Sequence, residues 1–156
     1  MRNKDKGFSL IELLIVVAII LIIAAIAIPN LLRSKMAANE ASAVGSLRTM
    51  NTASVSYSTT YGGYPPALTN LGPATPATST SADLIDSVLA TGTKSGYSFT
   101  YAAVTSDANG NILSYTIVAN PSTRGTTGQR GFFTNQTGVI RADATTAATA
   151  TSTPIS

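Results

Sequence analysis

The sequence predicts an α+β fold in which one long amino-terminal helix packs on a small antiparallel β-sheet domain. Two observations lead to this prediction. An apolar run from Phe8 to Ile28 is followed by an apolar stripe at helical spacing. Further along, two segments of alternating polarity flank a hairpin turn. The first run is long enough for a membrane span, which needs about 20 apolar residues.

Composition argues against an enzyme. The chain has 156 residues, which suits one domain plus an extension, and it contains no His, Cys or Trp. The usual metal ligands, the commonest general base and the thiol nucleophile are therefore missing. We expect no catalytic residue, no metal and no cofactor. The net charge is +3, but Arg2, Lys4 and Lys6 lie within the first six residues, so this basicity is weak support for nucleic acid as a partner.

The apolar run contains one costly residue. Between Phe8 and Ile28 only Ser9 and Glu12 are not apolar, and a carboxylate in a membrane costs about 2.5–3.5 kcal/mol on insertion scales. A secretory signal peptide with cleavage after Ala25-Ile26-Ala27 is one alternative, although the run exceeds the usual core of about 7–15 residues. An ordinary signal anchor is another alternative.

The stretch Lys6–Leu13, KGFSLIEL, resembles the prepilin signature of type IV pilins and the related pseudopilins, and Pro29 falls where many members carry a proline. The resemblance implies that a prepilin peptidase cuts after Gly7 and N-methylates the new amino terminus at Phe8, so that residues 1–7 are a leader. It also implies that Glu12 neutralises this amine, in its own subunit or in a neighbour during assembly.

The resemblance implies a structural function. The leading hypothesis is a subunit of a type IV pilus, whose partners are other copies of itself, the prepilin peptidase, an inner-membrane assembly platform and membrane lipid. Such a subunit is a single-pass inner-membrane precursor and then part of an extracellular filament. The alternatives are a pseudopilin of a type II secretion system and a minor pilin for DNA uptake or adhesion. Many pilins have paired cysteines near the carboxyl end; here hairpin packing must hold that end.

The predicted helix has two halves. Residues 8–29 form the transmembrane and assembly half, Pro29 introduces a kink, and residues 30–60 form an amphipathic half. About 50 residues at 1.5 Å each give roughly 75 Å of helix. The stripe predicted to pack on the domain consists of Met36, Ala43, Val44, Leu47, Met50 and Tyr57. The residues placed mostly off this stripe are Arg33, Lys35, Asn39, Glu40 and Arg48.

Residues 61–143 are predicted to form the globular domain. Gly62-Gly63 ends the helix, and a short helix over Asp83–Ala90 is expected with Thr80 or Ser81 as its N-cap. The strongest strand signals are Tyr97–Val104 and Ile112–Ala119. They flank Asp107–Asn111, which we interpret as a turn and not as a calcium loop, because no bidentate acid follows at the required distance.

The end of the chain carries weaker signals. Two further strands, Gly131–Thr134 and Gly138–Arg141, are expected to be joined at Asn135–Gly138, and Asn135-Gln136-Thr137 is a weak glycosylation signal. Residues 144–156 are predicted to be a flexible Thr/Ala/Ser tail with little to bury. Four basic residues could form a patch, although scattered, solvated charges are the favoured interpretation: Lys94, Arg124, Arg130 and Arg141.

Overall fold

The structure is a computed structural model, and it describes residues 8–155. The predicted leader, residues 1–7 with Gly7, lies outside the described residues. The chain divides within its long helix into two compact units, Met1–Lys35 and Met36–Ser156. The two units are described separately below.

The long helix α1 spans Leu10–Tyr61, which confirms the helix prediction. It continues through Pro29. Its first half is rich in Ile, Leu, Val and Ala, and an apolar environment favours a helix for such a segment because a helix satisfies its own backbone groups. The helix ends where Gly62 adopts φ +83° and donates its N–H to the Ser58 carbonyl at 3.0 Å. Glycine tolerates this left-handed conformation, so the predicted stop is confirmed.

The apolar stripe of α1 packs into the core of the second unit. Ala43, Leu47, Met50 and Tyr57 are buried, as predicted, whereas Met36 is half-buried. The same core cluster contains residues of the sheet, namely Tyr97, Phe99, Tyr115, Ile117, Ala119 and Phe132. The α+β fold, with the helix packed on an antiparallel sheet, is therefore confirmed.

The sheet has six antiparallel strands that follow one another in chain order. The strands are β1 (Thr93–Lys94), β2 (Tyr97–Ser106), β3 (Ile112–Pro121), β4 (Gly131–Asn135), β5 (Arg141–Asp143) and β6 (Thr153–Pro154). The central hairpin β2–β3 pairs Tyr97 with Pro121 and Ser106 with Ile112. Both strong strand predictions are confirmed, each with a slightly longer strand.

The turn of the β2–β3 hairpin is closed by Asp107. Its carboxylate accepts the backbone N–H groups of Asn109 and Asn111 at 2.8 Å each and the Asn111 side-chain amide at 2.9 Å. These bonds, led by the one from the Asn111 side chain, lower the pKa of Asp107. The turn interpretation is confirmed. Within residues 8–155 there is no group of three or more His, Cys, Asp or Glu side chains that could hold a metal ion.

The predicted short helix is only partly correct. The structure has a 3₁₀ turn at Leu68–Leu71, and the helix α2 covers Ser87–Ala90 only. Its N-cap is Asp86, whose carboxylate accepts the Leu89 N–H at 2.7 Å, so the expected caps at Thr80 or Ser81 were wrong. An earlier helix start is opposed by Asp83, which has a φ of +54°.

One strand prediction near the carboxyl end was also wrong, whereas the flexibility of residues 144–156 stays a prediction. The fourth predicted strand begins later, at Arg141, because Gly138 still belongs to the preceding turn with φ +76°. Up to Ile155, the final segment buries one residue, Ala148, which is 2% exposed, and its strand β6 pairs with β5. The Ile155 N–H also donates to the Ile140 carbonyl at 2.9 Å. Backbone hydrogen bonds thus attach this segment to the sheet, although its side chains bury little apolar surface.

Candidate assembly site

The first half of α1 presents a continuous apolar surface. Nearly all of its large apolar side chains are exposed, from Leu10, which is 75% exposed, to Leu32, which is 49% exposed, and Phe8 just before the helix is 88% exposed. Among the described residues, α1 is one helix that is long and apolar enough to cross a membrane by length and composition. An apolar surface of this extent indicates contact with lipid or with other protein chains.

Glu12 lies at the start of this helix and caps it. The Ser9 N–H donates to Glu12 Oε2 at 2.9 Å, and the Ser9 carbonyl accepts the Leu13 N–H at 3.2 Å. Ser9 is therefore the N-cap and Glu12 is the third helical residue, and the bond from the Ser9 N–H to the Glu12 side chain is one half of a capping box. The negative carboxylate also lies near the positive end of the helix dipole. The sequence prediction missed this local role, although the pattern Ser-x-x-Glu is visible in the sequence.

The capping bond leaves much of the Glu12 carboxylate unused. A carboxylate accepts at about four lone-pair positions, and within residues 8–155 Glu12 accepts one hydrogen bond, at Oε2. The side chain is exposed. Glu12 can therefore keep its bond to Ser9 and still accept a cationic partner from outside the helix.

The other predicted site residues lie on or beside the same helix. Phe8 comes two residues before the first residue of α1, Pro29 lies inside α1, and Gly7 is outside the described residues. Phe8 and Glu12 are four residues apart, about one helical turn. The roles of Gly7 and Phe8 in processing, and the kink at Pro29, stay predictions.

A second glutamate of α1, Glu40, was placed wrongly off the apolar stripe. It is 8% exposed, and its Oε1 accepts the backbone N–H groups of Gln129 at 2.9 Å and Arg130 at 3.1 Å. Its Oε2 accepts the Nε–H of Arg130 at 2.8 Å. The Arg130 guanidinium also lies 5.4 Å from the ring centre of Phe132. Glu40 thus fastens α1 to the loop between β3 and β4.

The surroundings of Glu40 shift its pKa in two opposing directions. Burial alone raises it, but the hydrogen bonds from the Gln129 N–H and from Arg130, together with the positive charge of Arg130, outweigh burial. The pKa of Glu40 is therefore below its usual value. Glu40 stays ionised in its nearly buried position at neutral pH.

A heptad count would have placed Glu40 correctly. Seven of the buried or half-buried residues of α1 recur at alternating gaps of four and three, namely Met36, Glu40, Ala43, Leu47, Met50, Ser54 and Tyr57. Two of these seven positions are polar, so a search for apolar residues alone skips them.

The four basic residues that could have formed a patch all bond within their own chain. Lys94 pairs with Asp86 at 2.9 Å, and Arg130 pairs with Glu40. Arg124 donates to the carbonyls of Gln129, Ala144 and Thr146, and Arg141 donates to the Ser152 carbonyl at 2.9 Å. These guanidinium and ammonium groups have structural partners, which favours the interpretation of scattered charges.

Comparisons with known proteins agree with the amino-terminal signature. Residues 2–28 match a family described as the prokaryotic N-terminal methylation motif, and this range includes Gly7, Phe8 and Glu12. The chain is 65% identical over 40 residues to the type IV wide pilus major component PilA4 of Thermus thermophilus, which covers 26% of this chain and 30% of that protein. It is 46% identical over 54 residues to the type IV major pilin protein PilA of Myxococcus xanthus, covering 35% and 24% of the two chains.

These matches confirm the resemblance to type IV pilins that Lys6–Leu13 indicated. They are local, since the chain matches less than a third of the length of either relative.

Proposed function

We propose that this chain is a structural subunit of a type IV pilus. In this proposal it is held in the inner membrane through residues 8–29, cut after Gly7 by a prepilin peptidase and N-methylated at Phe8. An assembly platform in the inner membrane then adds it to an extracellular filament of identical subunits. The observation that carries the proposal is the exposed apolar half of α1, which bears the methylation motif and Glu12.

The exposed apolar surface supports assembly by helix packing. In lipid, hydrophobic contact between helices has no advantage over contact with acyl chains, so association depends on close packing and on polar groups. In a filament outside the membrane, the same side chains would have to be covered by other subunits to leave water. One surface can therefore serve both the membrane-held subunit and the filament.

Glu12 supports a defined register between helices. Cleavage at Gly7 would create a cationic amine at Phe8, and opposite charges about 4 Å apart attract by about 4 kcal/mol at an effective dielectric of 20, before desolvation is subtracted. A buried charge that loses its partner is strongly unfavourable. An incoming subunit whose amine meets Glu12 of its neighbour is thus favoured over one that is shifted along the helix.

Two alternatives share the amino-terminal segment. A pseudopilin of a type II secretion system and a minor pilin for DNA uptake or adhesion would both carry the motif. The similarity to two proteins named as a major pilus component and a major pilin favours the pilus subunit. The role in all three cases is structural and requires no catalytic residue.

The decisive experiment removes the gene and restores it in the native host. We expect surface filaments, seen by electron microscopy, to disappear without the gene and to return with it, and the mature protein in those filaments to begin at N-methylated Phe8. Secretion of exported proteins is measured in the same cells. Unchanged filaments combined with failed secretion would contradict the proposal and favour the pseudopilin.

A further inference from the structure

The turn between β4 and β5 presents a short polar segment at the surface. The Gly138 N–H donates to the Asn135 carbonyl at 2.9 Å, which closes a four-residue turn directly after β4. Gln136, Thr137, Gly138 and Val139 are exposed, and Asn135 is half-buried. The turn is therefore accessible from outside the domain.

The side chain of Asn135 is held in a defined orientation. Its Oδ1 accepts the Thr137 N–H at 3.1 Å and the Thr137 hydroxyl at 2.7 Å. A backbone N–H can only donate, so the atom that faces it must be the amide oxygen and not the nitrogen. Among residues 8–155, the Nδ2 of Asn135 donates to no protein acceptor, whereas the Nδ2 of Asn51 donates to the Thr134 hydroxyl.

The sequence of this turn is an acceptor sequon. Asn135-Gln136-Thr137 has the form Asn-x-Ser/Thr with x other than Pro, the pattern to which sugars are attached on asparagine. It is the one such sequon in the 156 residues, since Asn120-Pro121-Ser122 is excluded by its proline. The sequon, an exposed turn and a fixed orientation of the Asn135 side chain thus coincide at this place in the fold.

We infer that Asn135 is a site of N-linked glycosylation. The co-reactant is a sugar activated on a phosphate or pyrophosphate carrier, brought by a glycosyltransferase. Asn135 Nδ2 attacks the anomeric carbon, a C–N bond forms, and the bond from that carbon to the phosphate oxygen breaks. The carrier phosphate leaves with the electron pair, and one Nδ2 proton passes to a base of the transferase. Thr137 keeps Oδ1 occupied, and Nδ2 has no protein acceptor among residues 8–155.

This inference goes beyond the proposed filament and does not depend on it, because the turn needs only to meet a transferase. Two carriers would supply the same chemistry. A lipid-linked donor transfers a preassembled oligosaccharide in one step, whereas a nucleotide-linked donor adds single sugars. The mass added to Asn135 distinguishes them, as does its sensitivity to an inhibitor of lipid-carrier loading.

The test uses the full chain purified from its native host and digested for mass spectrometry. We expect the peptide that contains Asn135 to carry sugar, and an N-glycan amidase to release that sugar and convert Asn135 to aspartate. Recovery of Asn135 wholly unmodified from folded protein overturns the inference. Sugar found only on serine or threonine side chains overturns it as well.

Two pairs of variants separate the sequon from the fold. Gln136→Pro destroys the sequon, yet Pro is favoured at the second position of such a turn and the extended Asn135 suits the residue before it, so the fold should remain. Gln136→Ala changes the same position and keeps the sequon. We expect Gln136→Pro to lose the sugar on Asn135 completely and Gln136→Ala to retain it.

At the third position, Thr137→Val should abolish the modification, because it keeps the shape and removes the hydroxyl. Thr137→Ser should retain it. Sugar that persists on Asn135 after Gln136→Pro contradicts the inference. Filament yield is measured in the same cells. Absence of sugar with normal filaments contradicts the glycosylation inference and leaves the proposed function standing. Absence of filaments with sugar present on Asn135 contradicts the proposed function and leaves the glycosylation inference standing.

Discussion

Helix α1 carries two glutamates in positions where a charge is costly, and their surroundings differ. Glu40 accepts three hydrogen bonds from Gln129 and Arg130, about 90 positions further along the same chain. Glu12, in the apolar half, accepts one bond from Ser9 in its own first turn. The comparison separates two uses of a carboxylate. One is satisfied by the fold of its own chain, and the other has acceptor positions left for a different chain.

The largest expected effect concerns filament assembly. Glu12→Ala should leave processing, membrane insertion and the outer domain intact but reduce filament yield tenfold or more, because the loss of about 1.4 kcal/mol per subunit contact is already a factor of ten. The measurement is sheared filament beside total mature subunit, with the variant as the sole copy.

Glu12→Gln sharpens the comparison, because the glutamine side-chain oxygen can still accept the Ser9 N–H while it lacks the charge. If capping is the whole role of Glu12, Glu12→Gln assembles normally. If the charge docks a neighbour, it assembles as poorly as Glu12→Ala.

The next effect concerns the stability of the domain. Glu40→Ala should lower the free energy of unfolding by about 2–3 kcal/mol, just below the roughly 3–5 kcal/mol typical of breaking a buried pair, because the Arg130 side chain is 47% exposed. Urea unfolding of the full chain in detergent, followed by near-ultraviolet circular dichroism, measures this loss. Glu40→Gln is the matched variant and should lose less, since its amide oxygen can still accept the Gln129 N–H. Equal stability of all three proteins would mean that the contact to the β3–β4 loop contributes nothing.

A smaller effect should appear in the dependence of stability on pH. The pKa of Glu40 is lowered by its bonds to Gln129 and Arg130 against the opposing effect of burial, and backbone bonds from Thr146 and Thr145 lower the pKa of Asp143 to about 2. A lowered pKa in the folded state means that the stabilisation is complete above the unfolded values and is lost as protons bind below them. We therefore expect stability to fall as pH drops from about 5 toward 2. Glu40→Gln should make the free energy of unfolding depend less on pH in the upper part of this range. An unchanged pH dependence in this variant would contradict the role assigned to the Glu40 carboxylate.

The smallest effect is expected from removing the first unit. A fragment of residues 36–156 should be soluble without detergent and unfold within about 0.5 kcal/mol of the same domain in the full chain, the range of changes that touch no core contact. The core residues all lie in that unit. An unfolded fragment, seen by circular dichroism, would show that residues 1–35 stabilise the domain. The contrast between Glu40, which serves its own domain, and Glu12, which is left for another chain, would then lose its basis.

Periodic patterns made α1 and the β2–β3 hairpin predictable from sequence, since apolar spacing and an Asn-Gly turn report directly on backbone geometry. Glu40 escaped because the search for the packed face of α1 followed apolar residues alone. Its heptad position indicates the buried face, but the hydrogen-bond donors that make a carboxylate favourable there come from the distant β3–β4 loop. Residues 144–155 escaped for a similar reason. They are held by Arg124 and Arg141, which donate to backbone carbonyls and leave no signal in apolar content.

At the assembly site the reverse holds. Glu12 and Phe8 were singled out from the sequence because the motif is local and short, and residues 2–28 match the methylation motif. Their roles in assembly and processing stay predictions. The capping bond of Glu12 was missed because attention to the membrane left the Ser9-x-x-Glu12 pattern unused.

The order of the strands has a consequence for export. Each strand pairs with the one before it, from β1 to β6, and no connection crosses the sheet. In the proposed subunit, residues 8–29 stay in the membrane and the domain that follows them would emerge in chain order. It could add its strands in the order in which they appear, because every new strand finds its partner already present. Such local pairing requires little loop-closure entropy at each step and is associated with rapid folding. The sheet could thus grow while its own carboxyl end is still being translocated.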